Sequence, residues 1–163
     1  MKLIVADSSP LIMLAASGLL PALESLAGEV VVPETVFAEC TARPEKLGAP
    51  EILRARDEKL ITLRADIADG GFPDELTGLD AGERAAIVMA HRLGSPVLMD
   101  ERLGRQAARQ HGTTVIGSIG VLLEAKRRGA IPAIGPHLRA WREWGYFISE
   151  SLLKAALEKA GEE

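Results

Sequence analysis

The stretch Leu3-Ile4-Val5-Ala6-Asp7-Ser8-Ser9 decides the fold of this chain. Its four apolar residues end at Asp7, and Pro10 then leads into an apolar pattern with helical spacing. Such a run is typical of a buried parallel strand that is followed by a helix. Asp7 would then lie at the carboxyl edge of a sheet, where open α/β sheets bind ligands. A second interpretation, which this stretch alone leaves open, is that Asp7 only caps the helix.

Strand and helix patterns alternate along the rest of the chain. Apolar or β-branched runs predict further strands at residues 30–32, 60–63, 97–99 and 114–116. Start and stop signals predict helices near residues 11–18, 21–26, 33–40, 51–58, 81–94, 101–110, 119–128, 138–144 and 149–160, with loops at 43–50 and 64–78. This alternation predicts a three-layer α/β/α fold around a mostly parallel sheet of about five strands.

Length and composition favour one domain over residues 1–163. The chain has 163 residues, of which 47% are hydrophobic and 26% are charged, enough for one well-buried core and too few for two domains. The single cysteine, Cys40, excludes an internal disulfide and fits a reducing compartment, with a buried and inert thiol. The net charge of -4 argues against a protein that coats nucleic acid generally, although a local basic face could still bind phosphate.

The N-terminus has some features of a secretory signal peptide. Lys2 precedes apolar residues, and Ala15-Ala16-Ser17 is similar to a cleavage site for a signal peptidase. However, Asp7 and the polar residues after it interrupt the apolar run. No stretch approaches the roughly 18 apolar residues that a membrane span needs. We therefore expect a cytoplasmic protein with no membrane segment.

Four carboxylates occupy positions from which they could meet at one edge of the sheet. Asp7 and Asp100 follow strands, Glu39 lies in the helix after the second strand, and Glu83 lies in the helix before the fourth. Hard divalent cations such as Mg²⁺ prefer oxygen ligands, so converging carboxylates suit them. The three histidines show no metal-ligand spacing and are expected at the surface or at helix ends, at positions His91, His111 and His137.

Glu83 also has a structural interpretation. Asp80-x-x-Glu83 has the spacing of a capping box, in which Asp80 caps the helix and Glu83 reaches back. We favour the capping role for Asp80 and disfavour it for Glu83. The small residues Ala85 and Ala86 that follow would let this helix lie close to its neighbours.

The motifs together resemble the PIN-domain family, and in particular the PIN-like branch related to the VapC toxins of bacterial and archaeal toxin–antitoxin pairs. The resemblance extends over nearly the whole chain, and the order and spacing of its motifs are more specific than any one of them. The matching segments are residues 5–12, 32–39, 79–87, 98–105, 117–122 with 125–126, and 145–149.

This resemblance implies a Mg²⁺- or Mn²⁺-dependent ribonuclease. The family's acidic quartet falls on Asp7, Glu39, Glu83 and Asp100, and its supporting polar residues fall on Ser8 or Ser9 and on Ser118. An RNA substrate, a cognate antitoxin protein and a homodimer are implied as well, with Leu14 and Leu19 serving either that dimer or the core. The chain departs from the toxin motif at Arg102, where the family commonly has a second Asp, and Glu101 lies next to Asp100 instead. This departure bears on the number of metal ions more than on the fold.

The chemistry agrees with this ligand set. A metal ion held by carboxylates can activate water and stabilise charge on a phosphoryl oxygen, so no protein nucleophile is required. Arg102, Arg105 and Arg109 share one face of a predicted helix and could bind backbone phosphates. A stripe of this kind is more often simply a solvated helix face.

Other classes fit the sequence less well. A receiver domain needs paired acids after the first strand and a Lys after the fifth, whereas Gly117-Ser118 occupies the latter place. A haloacid-dehalogenase-like phosphatase needs a second Asp where Ser9 stands, and a dinucleotide-binding domain needs a glycine-rich first turn. A catalytically inactive PIN-like module that binds RNA or protein remains the alternative from another functional class.

Overall fold

The computed structural model describes residues 2–68 and 78–162. The chain forms two compact units, Met1–Ser118 and Ile119–Glu163. The first unit contains the sheet, and the second is helical over its described residues. The single domain expected over residues 1–163 stays a prediction. The loop predicted at residues 64–78 lies mostly on residues 69–77, outside the described ones.

The strands of the described residues form one sheet of five in the first unit. They are β1 (Leu3–Ala6), β2 (Glu29–Pro33), β3 (Thr62–Arg64), β4 (Val97–Leu98) and β5 (Val115–Ile116), in the order β3-β2-β1-β4-β5. All four pairings are parallel, with Ile4 opposite Val30 and Ala6 opposite Leu98. The predicted five-stranded, parallel sheet is therefore confirmed.

Nine helices lie within the described ranges. They are α1 (Ser8–Ala16), α2 (Leu20–Ala27), α3 (Glu34–Thr41), α4 (Ala49–Asp57), α5 (Ala81–Leu93), α6 (Arg102–Gln110), α7 (Ser118–Arg127), α8 (Gly135–Glu143) and α9 (Glu150–Lys159). No helix among these residues is long and apolar enough to cross a membrane.

The strand order places helices on both faces of the sheet. From β1 the chain proceeds outward to β2 and β3, then returns to β4 on the other side of β1 and continues to β5. Because parallel crossovers are right-handed, the helices of these two halves lie on opposite faces. α2 and α3 contact β2, and α5 contacts β1, β2 and β4. This arrangement confirms the three-layer α/β/α prediction.

The core surrounds β1, whose residues Ile4, Val5 and Ala6 are at most 1% exposed. Burial of consecutive residues is expected for a strand covered on both faces, because successive side chains point to opposite sides. Leu14 and Leu19 are buried as well, so both belong to the core of this unit rather than to an exposed apolar surface. Cys40 is free and buried, as predicted.

Two helices begin earlier than the sequence pattern indicates. α4 starts at Ala49 instead of Glu51, and α8 starts at Gly135 instead of Leu138. Each carries a proline in its first turn, where the missing backbone N–H costs nothing because it would have no partner in the helix. The sequence pattern alone places the proline of α4 in the preceding loop.

β3 begins two residues later than predicted. The backbone N–H of Leu60 bonds to the carbonyl oxygen of Ala55 at 2.8 Å, so this residue closes the end of α4. Lys59 makes the turn with φ of 62°, in the left-handed region. The apolar run at residues 60–63 is therefore a helix end followed by a strand, a distinction that hydrophobicity alone does not make.

Glu162 joins three helices of the second unit. Its carboxylate accepts hydrogen bonds from the backbone N–H groups of Ile134 at 2.8 Å and Gly135 at 2.9 Å, and it pairs with Lys126 at 2.9 Å. These bonds, of which that from Ile134 has the largest effect, lower the pKa of Glu162 to about 2. Glu162, three residues beyond the end of α9, thus accepts hydrogen bonds from backbone N–H groups at the start of α8 and pairs with Lys126 of α7.

Gly28 generates a test of this fold. It ends α2 with φ of 86° and ψ of −144°, and a Cβ there would lie 2.4 Å from the carbonyl oxygen of Lys2. We expect Gly28→Ala to lower the free energy of unfolding by about 3 kcal/mol, since it adds a backbone clash to a conformation that costs about 1–2 kcal/mol. Gly18→Ala is the matched control, because Gly18 also has positive φ but faces open space. Equal losses for the two variants in urea denaturation would contradict the packing of Gly28 against Lys2.

Candidate active site

Asp7 follows β1 at the topological switch point of the sheet, where the strand order reverses between β1 and β4. Its backbone N–H bonds to the carbonyl oxygen of Leu98 at 2.9 Å, which joins the ends of β1 and β4. The residue occupies the N-cap position of α1, yet its side chain makes no capping hydrogen bond. Asp7 is 2% exposed, and its Oδ1 has no hydrogen-bond partner among the described residues. The capping interpretation of Asp7 is therefore wrong.

The surroundings of Asp7 disfavour its charge. Burial is the largest cause that raises its pKa, to about 7, while the backbone N–H of Ser8 lowers it. The negative charges of Glu83, Asp80 and Glu39 raise the pKa further. A carboxylate in such a place is costly without a cation, which makes Asp7 a functional candidate on physical grounds.

Glu39 reaches from α3 to the first turns of two other helices. Burial and the charge of Asp80 raise its pKa, whereas hydrogen bonds from the Gly82 backbone N–H and the Ser8 hydroxyl lower it. The carboxylate lies so close to Gly82 that a Cβ on this residue would be 2.4 Å from Oε2. Ser8 is thus a supporting polar residue of Glu39, while its neighbour Ser9 is exposed.

Glu83 has both a structural contact and a place in the acidic cluster. Its Oε1 accepts a hydrogen bond from the backbone N–H of Asp80 at 2.9 Å, and the Asp80 side chain accepts one from the N–H of Glu83 at 2.8 Å. This is a complete capping box, so the expectation that Glu83 would not cap was wrong. Glu83 is 9% exposed, and burial is the first cause that raises its pKa. The capping bond engages Oε1, and the carboxylate still contributes negative charge to Asp7.

Asp100 is held by the start of α7. It follows β4 as predicted, and its two oxygens accept hydrogen bonds from Ser118, Oδ1 from the backbone N–H at 2.8 Å and Oδ2 from the hydroxyl at 2.6 Å. Ser118 is 2% exposed. The structure therefore gives Asp100 and Ser118 a shared structural role at the helix start, whatever further role they have.

The three arginines of α6 differ in their surroundings. Arg105 donates from Nη1 to the carbonyl oxygen of Met99 at 2.7 Å, so this side chain is committed to the protein. Arg102 and Arg109 are exposed. The helix itself is capped by Glu101, whose Oε2 accepts a hydrogen bond from the backbone N–H of Gly104 at 2.7 Å.

Sequence reasoning missed several members of this edge. Asp66 follows β3, accepts hydrogen bonds from the backbone and hydroxyl of Thr35, and raises the pKa of Glu39. Its place after a strand is the same signal that singles out Asp7 and Asp100. Gly82 carries no such signal, because its importance lies in a contact with Glu39 that only the fold creates.

The donor atoms at this edge fit a hard divalent cation. No three carboxylate, imidazole or thiol groups of residues 2–68 and 78–162 lie close enough to hold one ion together. Mg²⁺, however, binds through one or two carboxylates and keeps several waters. The buried, unpartnered Oδ1 of Asp7 supplies one such ligand, and the neighbouring negative charges would favour a cation.

A comparison with protein families agrees with this geometry. The model of the family DUF3368, described as a PIN domain, matches residues 3–162. The chain belongs to this family of PIN domains. No curated protein matches the sequence. PIN domains are in general nucleases that use divalent metal ions, so the family and the acidic edge point to the same chemistry.

The raised pKa of Asp7 predicts how stability depends on pH in metal-free protein. The folded state keeps the proton of Asp7 up to about pH 7, whereas the unfolded chain loses it near pH 3.8. The resulting stability is complete below about pH 4 and is lost as the pH rises through 7, with Glu39 and Glu83 shifted in the same direction. In EDTA, Asp7→Asn should therefore be more stable than wild type at pH 8, by about 4 kcal/mol, and equal to it at pH 4.

The control for this experiment is Asp57→Asn, because the Asp57 side chain is 69% exposed. Urea denaturation at several pH values measures the free energy of unfolding of all three proteins. Parallel pH profiles for wild type and Asp7→Asn would show that Asp7 ionises normally.

Proposed function

We propose that this PIN domain is a Mg²⁺- or Mn²⁺-dependent endoribonuclease that hydrolyses RNA phosphodiesters with activated water. The observation that supports this most directly is the buried Asp7 carboxylate, which has an unpartnered oxygen and lies at the switch point of the sheet. Open α/β sheets bind ligands at that point. Around it lie further carboxylates that favour a cation over any anionic cofactor.

Asp7, Glu39, Glu83 and Asp100 are the proposed catalytic and metal-binding residues. A divalent ion bound there supplies a Lewis acid for the scissile phosphate and lowers the pKa of the attacking water. Asp7 offers Oδ1 directly, while Glu39 and Glu83 contribute negative charge and acceptors for ordered water. Asp100 is oriented by Ser118 at the end of the neighbouring strand.

RNA would bind beside this acidic edge through positive charge. α6 begins just after Asp100, and its exposed residues are the candidates for successive backbone phosphates: Arg102 in the first turn, beside the acidic edge, and Arg109 in the last turn, farther from it. Arg105 shares their face, but its bond to the Met99 carbonyl gives it a role in holding the β4–α6 connection. We therefore assign phosphate binding to Arg102 and Arg109 first.

The biological role that we propose is that of a toxin in a toxin–antitoxin pair. This proposal rests on the resemblance of residues 5–12 and 98–105 to the VapC-related branch. It implies a cognate antitoxin protein and a homodimer. Leu14 and Leu19 are not candidates for the dimer contact, because both are buried within the first unit.

An inactive module that binds RNA or protein is the second candidate. Two observations favour it: Asp100 has both oxygens bonded to Ser118, and Glu83 is part of a capping box. Both acids therefore have structural functions that would preserve them without catalysis. Activity measurements on matched variants separate the two proposals.

We expect the purified protein to cleave single-stranded RNA with Mg²⁺ or Mn²⁺ and to stop when EDTA is added. Asp7→Asn and Asp100→Asn should each reduce the cleavage rate by about 100-fold or more, because a neutral amide holds the cation more weakly. Asn at position 100 can still accept from the Ser118 N–H and donate to its hydroxyl, so this variant should fold. Asp57→Asn should cleave like wild type. Cleavage by a folded Asp100→Asn protein at the wild-type rate would leave Asp100 a structural residue, and no cleavage of any RNA by wild type would favour the inactive module.

The role of the arginines can be tested by the salt dependence of RNA binding. Replacing Arg102 and Arg109 with Gln should weaken binding and flatten the slope of log K against log salt by about 0.7 for each phosphate that the variant no longer binds. The control replaces Arg127 and Arg128, which carry the same charge and already pair with Glu124. An unchanged affinity and slope in the first variant would mean that this face of α6 is only solvated.

A further inference from the structure

A second polar pocket lies at the opposite, amino edge of the sheet. It has a volume of about 260 Å³ and is bordered by the residues that enter β4 and β5. Its polar side chains are His91, Ser95, His111, Thr113 and Thr114. The proposed nuclease function uses none of them, and the carboxylates of that site follow the strands rather than precede them.

Two of the three histidines of the chain meet in this pocket. His91 lies in the last turn of α5, and His111 ends α6 as its C-cap. Their ring centroids are 6.4 Å apart, with an angle of 77° between the ring planes. The prediction of helix-end positions holds for this pair, but their wide separation in the sequence gives no sign that the rings would meet.

The pocket also contains a hydroxyl group in need of a partner. Thr113 is 7% exposed, and its Oγ1 is buried without a hydrogen bond among the described residues. A buried hydroxyl in this state is rare in folded proteins and often marks a ligand or an ordered water. This observation is independent of the two imidazole rings.

The helix ends at this pocket bring charge of both signs. α5 and α6 both end here, and the carboxyl ends of helices carry partial negative charge, while Arg92 and Arg109 in the same last turns are positive. Imidazole nitrogens are ligands for borderline metal ions such as Zn²⁺, whereas Mg²⁺ prefers carboxylates and water. Each imidazole has two nitrogens, so one can bind a metal while the other keeps a partner in the protein.

We propose that His91 and His111 form a binding site for a divalent transition-metal ion of the Zn²⁺ type, distinct from the acidic edge. An ion about 2 Å from one nitrogen of each ring would bring the centroids to about 5–6 Å, so a movement of about 1 Å closes the site. His91 is exposed and can make this movement. Water completes the coordination, and the buried Thr113 hydroxyl is available to hydrogen-bond to such a water.

Zinc binding to the full-length, EDTA-treated and dialysed chain tests the site. Isothermal titration with Zn²⁺ is done in millimolar Mg²⁺, which occupies carboxylate sites but competes weakly for imidazole. Wild type should bind one Zn²⁺, and His91→Gln and His111→Gln should each lose about tenfold or more in affinity. His137→Gln is the matched control, since His137 does not line this pocket, and Asp7→Asn controls for the acidic edge; both should bind like wild type.

A second measurement locates the ion and does not depend on any variant. In NMR spectra of the wild-type protein, Zn²⁺ should shift the imidazole signals of His91 and His111 and leave those of His137 in place. Wild-type affinity in folded His91→Gln, or equal shifts for all three histidines, would overturn the proposal. Loss of zinc binding in Asp7→Asn alone would assign the ion to the acidic edge. If the protein cleaved no RNA but still bound zinc through the two histidines, the nuclease proposal would fail and the zinc site would be supported.

Discussion

The burial of the Asp7 carboxylate is the constraint on which the carboxyl edge of this protein depends. The sheet places Asp7 where β1 meets β4, with its backbone committed to Leu98 and its side chain almost excluded from solvent. Removing a carboxylate from water is costly, and Glu39 and Glu83 add repulsion. This unfavourable burial occurs at the point where open parallel sheets bind ligands. A local loss of stability at such a point is expected of a site that is optimised for function.

The other acids of this edge show why Asp7 differs from them. Four of them accept a hydrogen bond from a backbone N–H group at the start of a helix: Asp66 at α3, Asp80 at α5, Glu101 at α6 and Asp100 at α7. Each satisfies backbone N–H groups that a helix start leaves open, and each is favoured by the helix dipole. Asp7 also stands at a helix start, but it makes no capping bond. Helix capping therefore accounts for the positions of these four acids, whereas the buried Asp7 carboxyl group has no capping role.

The sequence predicted those parts of the fold that depend on local patterns. Alternating apolar runs and helices were enough for the parallel sheet, since buried strands in such sheets are apolar on both faces. The prediction failed for Glu83, although the Asp80-x-x-Glu83 spacing indicated a capping box, because the small residues that follow do not keep its side chain from bonding to the Asp80 backbone N–H. It also missed the contact of Glu39 with Gly82, because these two residues, far apart in the chain, meet only once α3 and α5 pack together. Periodicity describes an element and its faces, whereas a site depends on how elements meet.

The parallel topology also assigns different chemistry to the two edges of the sheet. Helices that follow strands begin at the carboxyl edge, so their N-terminal N–H groups and positive dipole ends stabilise carboxylates there. The helices that lead into β4 and β5 end at the amino edge, where His91 and His111 lie among negative dipole ends. Hard cations are bound by carboxylates and water, whereas borderline ions are bound by imidazole. The two edges of one sheet can therefore favour different metal ions, so that the two sites do not compete for the same ion. The separation at β4 and β5 follows from strand direction, because the helix after a parallel strand begins at the carboxyl edge and the helix that leads into the next strand ends at the amino edge.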